Sequence, residues 1–230
     1  MKIRLAVVLL LGCVLAACQA QGPSANRVDF RYQWLSYLQG DDLRATCRAD
    51  GPDRLRLIYN ADFNREIRTY DLFIAAGGSG VLDTRRWVEA GFMVSFGGSL
   101  SSMLDGQKGQ VSLSPEQVSQ LTSLVGDSGF PGPVQTGATL RSDSYFWVAL
   151  ACVDGIFGLQ VWQGEAMRNI RFAGLLESWD PIGAPLPVAS VAPLPPFSTV
   201  VAANRRNRDA SKLYYDAQVE QAAIRAAWRS

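Results

Sequence analysis

Residues Tyr145–Val153 (YFWVALACV), the pair Asp154-Gly155 and residues 156–162 (IFGLQVW) make up the stretch on which the fold turns. Two runs rich in aromatic and β-branched residues, separated by Asp-Gly alone, predict a β-hairpin. The two-residue turn that matches strand twist needs positive φ at both central positions, and Asp-Gly is suited to both. The apolar content of the arms places this hairpin at the centre of a sheet.

Working outward, Ser114-Pro115-Glu116-Gln117 is a helix start. Ser stands at the cap, Pro at the first position, and Gln three residues on can close a capping box. Val118, Leu121, Leu124 and Val125 form one apolar stripe, so one face of this helix should lie on the sheet, and residues 126–129 (GDSG) end it. Before it, residues 54–59, 67–75, 81–88 and 92–96 read as short strands. The turn chemistry of residues 60–64, Gly77 to Gly80, and Gly97-Gly98-Ser99 separates or ends them. Such a succession predicts an antiparallel sheet and an α+β fold. A short helix is expected from Asp41, as cap, to about Arg48. Val28, Phe30, Tyr32 and Trp34 alternate with polar residues and predict a strand, although Tyr32, Leu35 and Leu38 would also make a helical stripe.

After Trp179 the composition becomes Pro-rich over residues 181–196, which predicts an extended linker. In residues 207–229, Leu213, Ala217, Ile224 and Trp228 recur at four- and seven-residue spacings. That predicts a C-terminal helix, packed on its own domain or docked on a partner. The expected organisation is a leader over 1–17, a tether over 18–27, an α+β domain over 28–180, the linker over 181–200 and the terminal helix over 201–230.

The chain begins with basic Lys2 and Arg4, an apolar run from Leu5 to Leu15, and Leu15-Ala16-Ala17-Cys18. This resembles a bacterial lipoprotein signal peptide with its lipobox. The resemblance implies cleavage before Cys18, acylation of the Cys18 thiol and a further chain, such as palmitate, on the new amino group. Cys13, after Leu10-Leu11-Gly12, fits the same pattern loosely but leaves a very short apolar core. A membrane-spanning helix needs about 20 apolar residues, and Cys18 and the polar residues 19–26 cut this run short. Each buried methylene is worth about 0.8 kcal/mol, so two or three acyl chains anchor a protein stably where one does not. Gln19, rather than Asp, after the Cys implies by the same resemblance an outer-membrane address facing the periplasm. The stretch 113–179 is similar to small α+β domains of bacterial envelope proteins, a resemblance that implies no activity.

The 230 residues carry 22 basic and 21 acidic side chains and no histidine. Without Lys2 and Arg4 the balance is 20 to 21, a net charge of −1, so no nucleic-acid partner is implied. With Cys13 in the leader and Cys18 acylated, Cys47 and Cys152 remain. Two thiols in an oxidising compartment read as one disulfide joining the halves of the domain, the alternative being two buried free thiols.

The missing histidine removes the usual general base, the commonest metal ligand and every Ser-His or Cys-His nucleophile. Gly126-Asp127-Ser128-Gly129 is similar to the segment around the nucleophile of trypsin-like serine proteases, but with no His it reads as a helix stop. Gly106-Gln107-Lys108-Gly109 lacks the Ser or Thr of a P-loop, and none of Lys2, Lys108 and Lys212 follows a Ser by three positions. No cofactor is implied. The reading is therefore a non-enzymatic envelope accessory, with its anchor in a membrane and a possible protein partner on the terminal helix. The alternative is a glycan hydrolase built from a carboxylate pair, which needs no His. Asp41, Asp42, Asp62, Asp71 and Asp154 are candidates for it, although each also fits a cap, a turn or a solvated strand position. Arg205, Arg206 and Arg208 form a basic cluster, and Trp147 and Trp162 could bind sugar or peptide if exposed.

Overall fold

The computed structural model describes residues 27–88, 106–189, 193–206 and 212–229. Its frame is a six-stranded antiparallel sheet in the order β4-β3-β2-β1-β6-β7. The strands are β1 (Asp53–Ala61), β2 (Glu66–Ile74), β3 (Gly80–Val88), β4 (Gln107–Leu113), β6 (Tyr145–Val153) and β7 (Ile156–Gln163). A second sheet, β5-β8-β9, joins β5 (Thr139–Arg141) to β8 (Tyr214–Val219) and β9 (Ile224–Arg229). The protein is thus α+β with antiparallel sheets.

Both faces of the large sheet are covered, which is why β1 and β6 are buried along most of their lengths. On one face Leu55, Leu57, Tyr59 and Ala61 meet Tyr70, Leu72, Trp147 and two helices, α3 (Pro115–Asp127) and α4 (Ala173–Trp179). On the other, Ile58, Phe146, Val148 and Leu150 meet α1 (Arg27–Gln39) and the inner face of the small sheet. Helix α3 starts as its sequence dictates. Ser114 Oγ accepts from the Gln117 N–H at 3.3 Å, and Gln117 Oε1 accepts from the Ser114 N–H at 2.9 Å.

The hairpin forms at Asp154 (φ 51°) and Gly155 (φ 74°), the positive angles its turn requires. It does not occupy the centre: β7 is an edge strand and β1 lies between β2 and β6. Pairing in register from Arg54–Cys152 to Ala61–Tyr145 puts β1 there, a long-range match that local turn chemistry cannot reveal.

Four further expectations are corrected. The segment from Arg27 is helix α1 rather than a strand, because Trp34, Tyr37 and Leu38, spaced i, i+3, i+4, are the residues buried in the core. Helix α2 (Asp41–Thr46) is capped by Gly40 at φ 74°, not by Asp41, and stops before Arg48. Over the described residues 212–229 a hairpin of β8 and β9 stands in place of the expected C-terminal helix, and a helix, α5 (Phe197–Arg206), precedes this region. The buried set decides this, since Tyr215, Ala217, Val219 and then Ile224, Ala226, Trp228 alternate with period two and face Trp34, Phe63 and Leu140. Nor is the Pro-rich stretch a free linker. Ala184 O accepts from Arg68 and Pro187 O from Tyr59, so residues 181–187 lie along the sheet. The expected strand at 92–96 and the turn at Gly97-Gly98 fall outside the described residues, as do the leader and most of the tether.

The disulfide expected between Cys47 and Cys152 is present, with Cα atoms 5.5 Å apart and a sequence separation of 105. It ties the exit of α2 to the end of β6. Replacing both cysteines with serine is expected to lower stability by about 2 to 4 kcal/mol, since a loop of about 100 residues is released in the unfolded chain. Urea unfolding of the two proteins measures it, and equal midpoints would contradict it.

Candidate functional site

Charge is concentrated on the large sheet in two buried clusters, one on each face. On the α1 face, the register sets Arg56 of β1 opposite Asp71 of β2. Arg56 is fully buried. Its Nε donates to both Asp71 oxygens at 3.2 Å, Nη1 to Asp42 Oδ1 at 2.8 Å and Tyr37 O at 3.1 Å, and Nη2 to Asp42 Oδ2 at 2.7 Å. The guanidinium also lies 3.6 Å from the Tyr37 ring centroid, while the Tyr37 hydroxyl donates to Asp71 Oδ2 at 2.8 Å. Arg54 Nη2 donates to Asp71 Oδ1 at 3.1 Å. Burial pushes the Asp42 carboxyl up, but the hydrogen bonds and charge of Arg56, with Arg54, outweigh it and hold the group below its usual range. Burial lifts the Tyr37 hydroxyl far above the ordinary phenol range, against the charge of Arg56. Asp42 therefore stays ionised, and the cluster clamps α1 and α2 to the sheet.

On the opposite face, Arg68 of β2 lies between Tyr59 of β1 and Arg86 of β3. Its Nη2 donates to Glu66 Oε1 at 2.6 Å, and its Nη1 to Asp180 Oδ2 at 3.0 Å and Ala184 O at 2.6 Å. Tyr70 donates to Asp180 Oδ2 at 3.2 Å, and Arg86 to Glu66 Oε2 at 2.9 Å. The Arg68 and Arg86 Nε atoms and Thr84 Oγ1 are buried with no hydrogen-bond partner. Burial raises the Tyr70 hydroxyl well above its ordinary range. Asp180 and the segment after it thus close over a charged interior. Asp180→Ala is expected to cost about 2 to 3 kcal/mol, because it leaves Arg68 and Tyr70 short of an acceptor. It should also open residues 181–187 to limited proteolysis; unchanged cleavage would show that backbone contacts alone hold the segment.

Two surface concavities lie along α5. One groove of about 340 Å³ is lined by Val200, Asn204, Lys212 and Tyr214, and another of about 350 Å³ by Val201, Arg205, Asp216 and Arg229. No α5 side chain is fully buried. The helix is held by Phe197 edge-on to Tyr214, by Arg141 donating to Pro195 O, and by Asn204 donating to Lys212 O at 3.1 Å.

The residues singled out by sequence are dispersed. Asp42 and Asp71 do meet, but across one guanidinium that binds both. Asp41 accepts from Ser36 Oγ at 2.7 Å, Asp62 turns the chain at φ 60°, and Asp154 forms the hairpin turn. Trp147 and Trp162 are buried, Trp147 stacking on Tyr59 at 4.8 Å, so they offer no open platform. Ser128 is buried with Oγ donating to Leu124 O and accepting from the Arg171 N–H, a helix stop pinned to the next segment. Arg205 and Arg206 are exposed at the end of α5, whereas Arg208 and Cys18 lie outside the described residues. Arg68, Glu66 and Asp180 were not foreseen. Arg68 and Glu66 sit at alternate positions of a strand, where a charge normally signals a solvated face, and only the cover from residues 180–187 makes them interior.

Among the described residues no group of three or more His, Cys, Asp and Glu could hold a metal ion, and no helix is long and apolar enough to cross a membrane. The class defined is an α+β protein with a six-stranded antiparallel sheet clamped on both faces by buried arginine–carboxylate clusters. No protein-family model, curated protein or solved structure matches the chain.

Proposed function

We propose that the protein is a lipoprotein of the bacterial cell envelope, anchored through acyl chains on Cys18 and facing the periplasm from the outer membrane. It works there as a non-enzymatic structural, assembly or binding accessory. The observation that carries this reading is the apolar run closing on Leu15-Ala16-Ala17-Cys18, nine residues before α1 begins at Arg27. The disulfide supports it, because such bridges persist in oxidising compartments. A glycan hydrolase would need one carboxyl able to give a proton and another free to act as base or nucleophile. Asp42 and Asp71 share Arg56, and Asp42 is held ionised, which favours the accessory reading over that one. With β8 and β9 built into the core, there is no C-terminal helix over residues 212–229 for a protein partner to dock on.

Cells fed an alkyne analogue of palmitate test the anchor. The native protein should take up the label, and Cys18→Ser should lose it and accumulate as the longer precursor. Equal labelling of the two would move the acylation elsewhere, and no labelling of either would overturn the anchor. Release of soluble fragments from peptidoglycan by the purified protein would overturn the non-enzymatic role.

A further inference from the structure

The sheets have two ends, and their exposed charges differ. At one end the β1–β2 turn meets the start of β8, where Asn64 Nδ2 donates to Leu213 O at 3.0 Å, and Lys212 and Arg65 both act on Asp62. Asn204 of α5 donates to Lys212 O, which brings the C-terminal end of that helix, with Arg205 and Arg206, to the same place. Arg229 closes β9 there, opposite Tyr214. Arg65, Arg205, Arg206, Lys212 and Arg229 are all exposed. The acids beside them are paired, Asp216 with Arg229 and Asp143 with Arg141, so Arg65, Arg205, Arg206 and Lys212 carry the net charge of this end. At the other end, where Arg44 donates to Ala222 O and Cys47 bonds Cys152, the acids Asp41, Asp50, Asp154 and the half-exposed Asp53 and Glu220 outnumber Arg44, Arg48 and Arg225, of which Arg48 pairs with Asp50 and Arg225 with Glu220.

Helix α1 runs from the basic end to the acidic one. Gln39, its last residue, accepts from the Ala226 N–H, while Trp34 packs on Tyr215, which pairs with Trp228. Followed backward the helix therefore climbs along β9, and its first residue lies about 10 Å beyond Trp34 at 1.5 Å per residue. Arg27 thus leaves the domain at the basic end. Eight residues, 19–26, separate it from Cys18, a reach of at most about 30 Å.

The geometry points to a membrane-facing surface: the end of the domain carrying Arg65, Arg205, Arg206, Lys212 and Arg229 lies against anionic phospholipid headgroups, with the acidic end directed away from the bilayer. This inference rests on the lipid-anchor reading, which supplies the proximity; the charge distribution supplies the orientation. Cations near an anionic bilayer gain about fivefold in partition each, within a screening length of about 10 Å at 0.1 M salt. A short tether holds these side chains within that range.

Hydrogen exchange on the intact protein, extracted from membranes and reconstituted into vesicles, tests it. In phosphatidylcholine vesicles containing phosphatidylglycerol, peptides covering Arg65, residues 204–206 and residues 212–214 should exchange more slowly than in phosphatidylcholine alone. That protection should vanish near 1 M salt, where the screening length is about 3 Å. It should vanish too in the Arg205→Gln, Arg206→Gln, Lys212→Gln variant, which loses about a hundredfold of the headgroup attraction at about fivefold per cation. Peptides covering residues 153–156 and 219–224 should be unchanged throughout, which also shows that the variant is folded. Equal exchange in the two lipids, or protection at the acidic end instead, overturns the orientation. The mass of the N-terminal peptide in the same sample reports acylation separately. An unacylated N-terminus overturns the anchor alone, and the lipid comparison then decides for the basic end.

Discussion

Replacing Arg56 with leucine is expected to cost the fold about 3 to 5 kcal/mol, the range found when one partner of a buried ion pair is removed. The guanidinium joins Asp42 on α2 to Asp71 on β2 and supports Tyr37 on α1 through its ring and its carbonyl, whereas Arg54 reaches Asp42 only at 3.6 Å. Without it Asp71, whose side chain is 8% exposed, keeps only Arg54 and the Tyr37 hydroxyl. Urea unfolding followed by far-ultraviolet circular dichroism measures the loss. A companion Arg56→Leu, Asp71→Leu protein should recover part of it, because no uncompensated charge is then left inside. A loss below about 1 kcal/mol for the single variant, no more than a solvent-exposed pair is worth, would mean that Arg54 alone neutralises Asp71.

Ending the chain before Phe197 is expected to have a larger effect, abolishing cooperative unfolding. The truncation removes Tyr215, Val219 and Ile224, each at most 2% exposed, and uncovers Trp34 and Phe63, which pack against Tyr215. At about 1.5 to 3 kcal/mol for each large apolar side chain taken from the core, the loss rivals the 5 to 15 kcal/mol that holds an ordinary domain folded. Asn60 would also lose the Tyr215 hydroxyl, which donates to its Oδ1 at 3.0 Å. A truncated protein with the native midpoint would show that the terminal hairpin is an appendage.

That second case shows where sequence reading failed. Leu213, Ala217, Ile224 and Trp228 fit a helical stripe, yet Ala217, Ile224 and Trp228 also belong to a period-two set, with residues 220–223 as the turn between two arms. Arg and Ala recur through the region and favour helix, and only burial against α1 and β5 selects the strand pattern. The same contest went the other way at residues 27–39, where alternation suggested a strand and core contacts made a helix. Features resting on short-range chemistry were legible: the Ser114–Gln117 capping box, the Asp154-Gly155 turn, and the antiparallel α+β class built from regularly spaced turns. Cys47 and Cys152 were readable as a disulfide pair. The arginine–carboxylate clusters were not, because Arg56 and Asp71 are 15 residues apart and Arg68 and Asp180 are 112. Their meeting depends on strand register and on the path of a Pro-rich segment, neither of which has a local signature.

The mass of the N-terminal peptide of the protein extracted from bacterial membranes tests the proposal most directly. A peptide that begins at Cys18 and carries two or three acyl chains is the expected result. A peptide that begins elsewhere, or one that contains Cys18 unmodified, would contradict it.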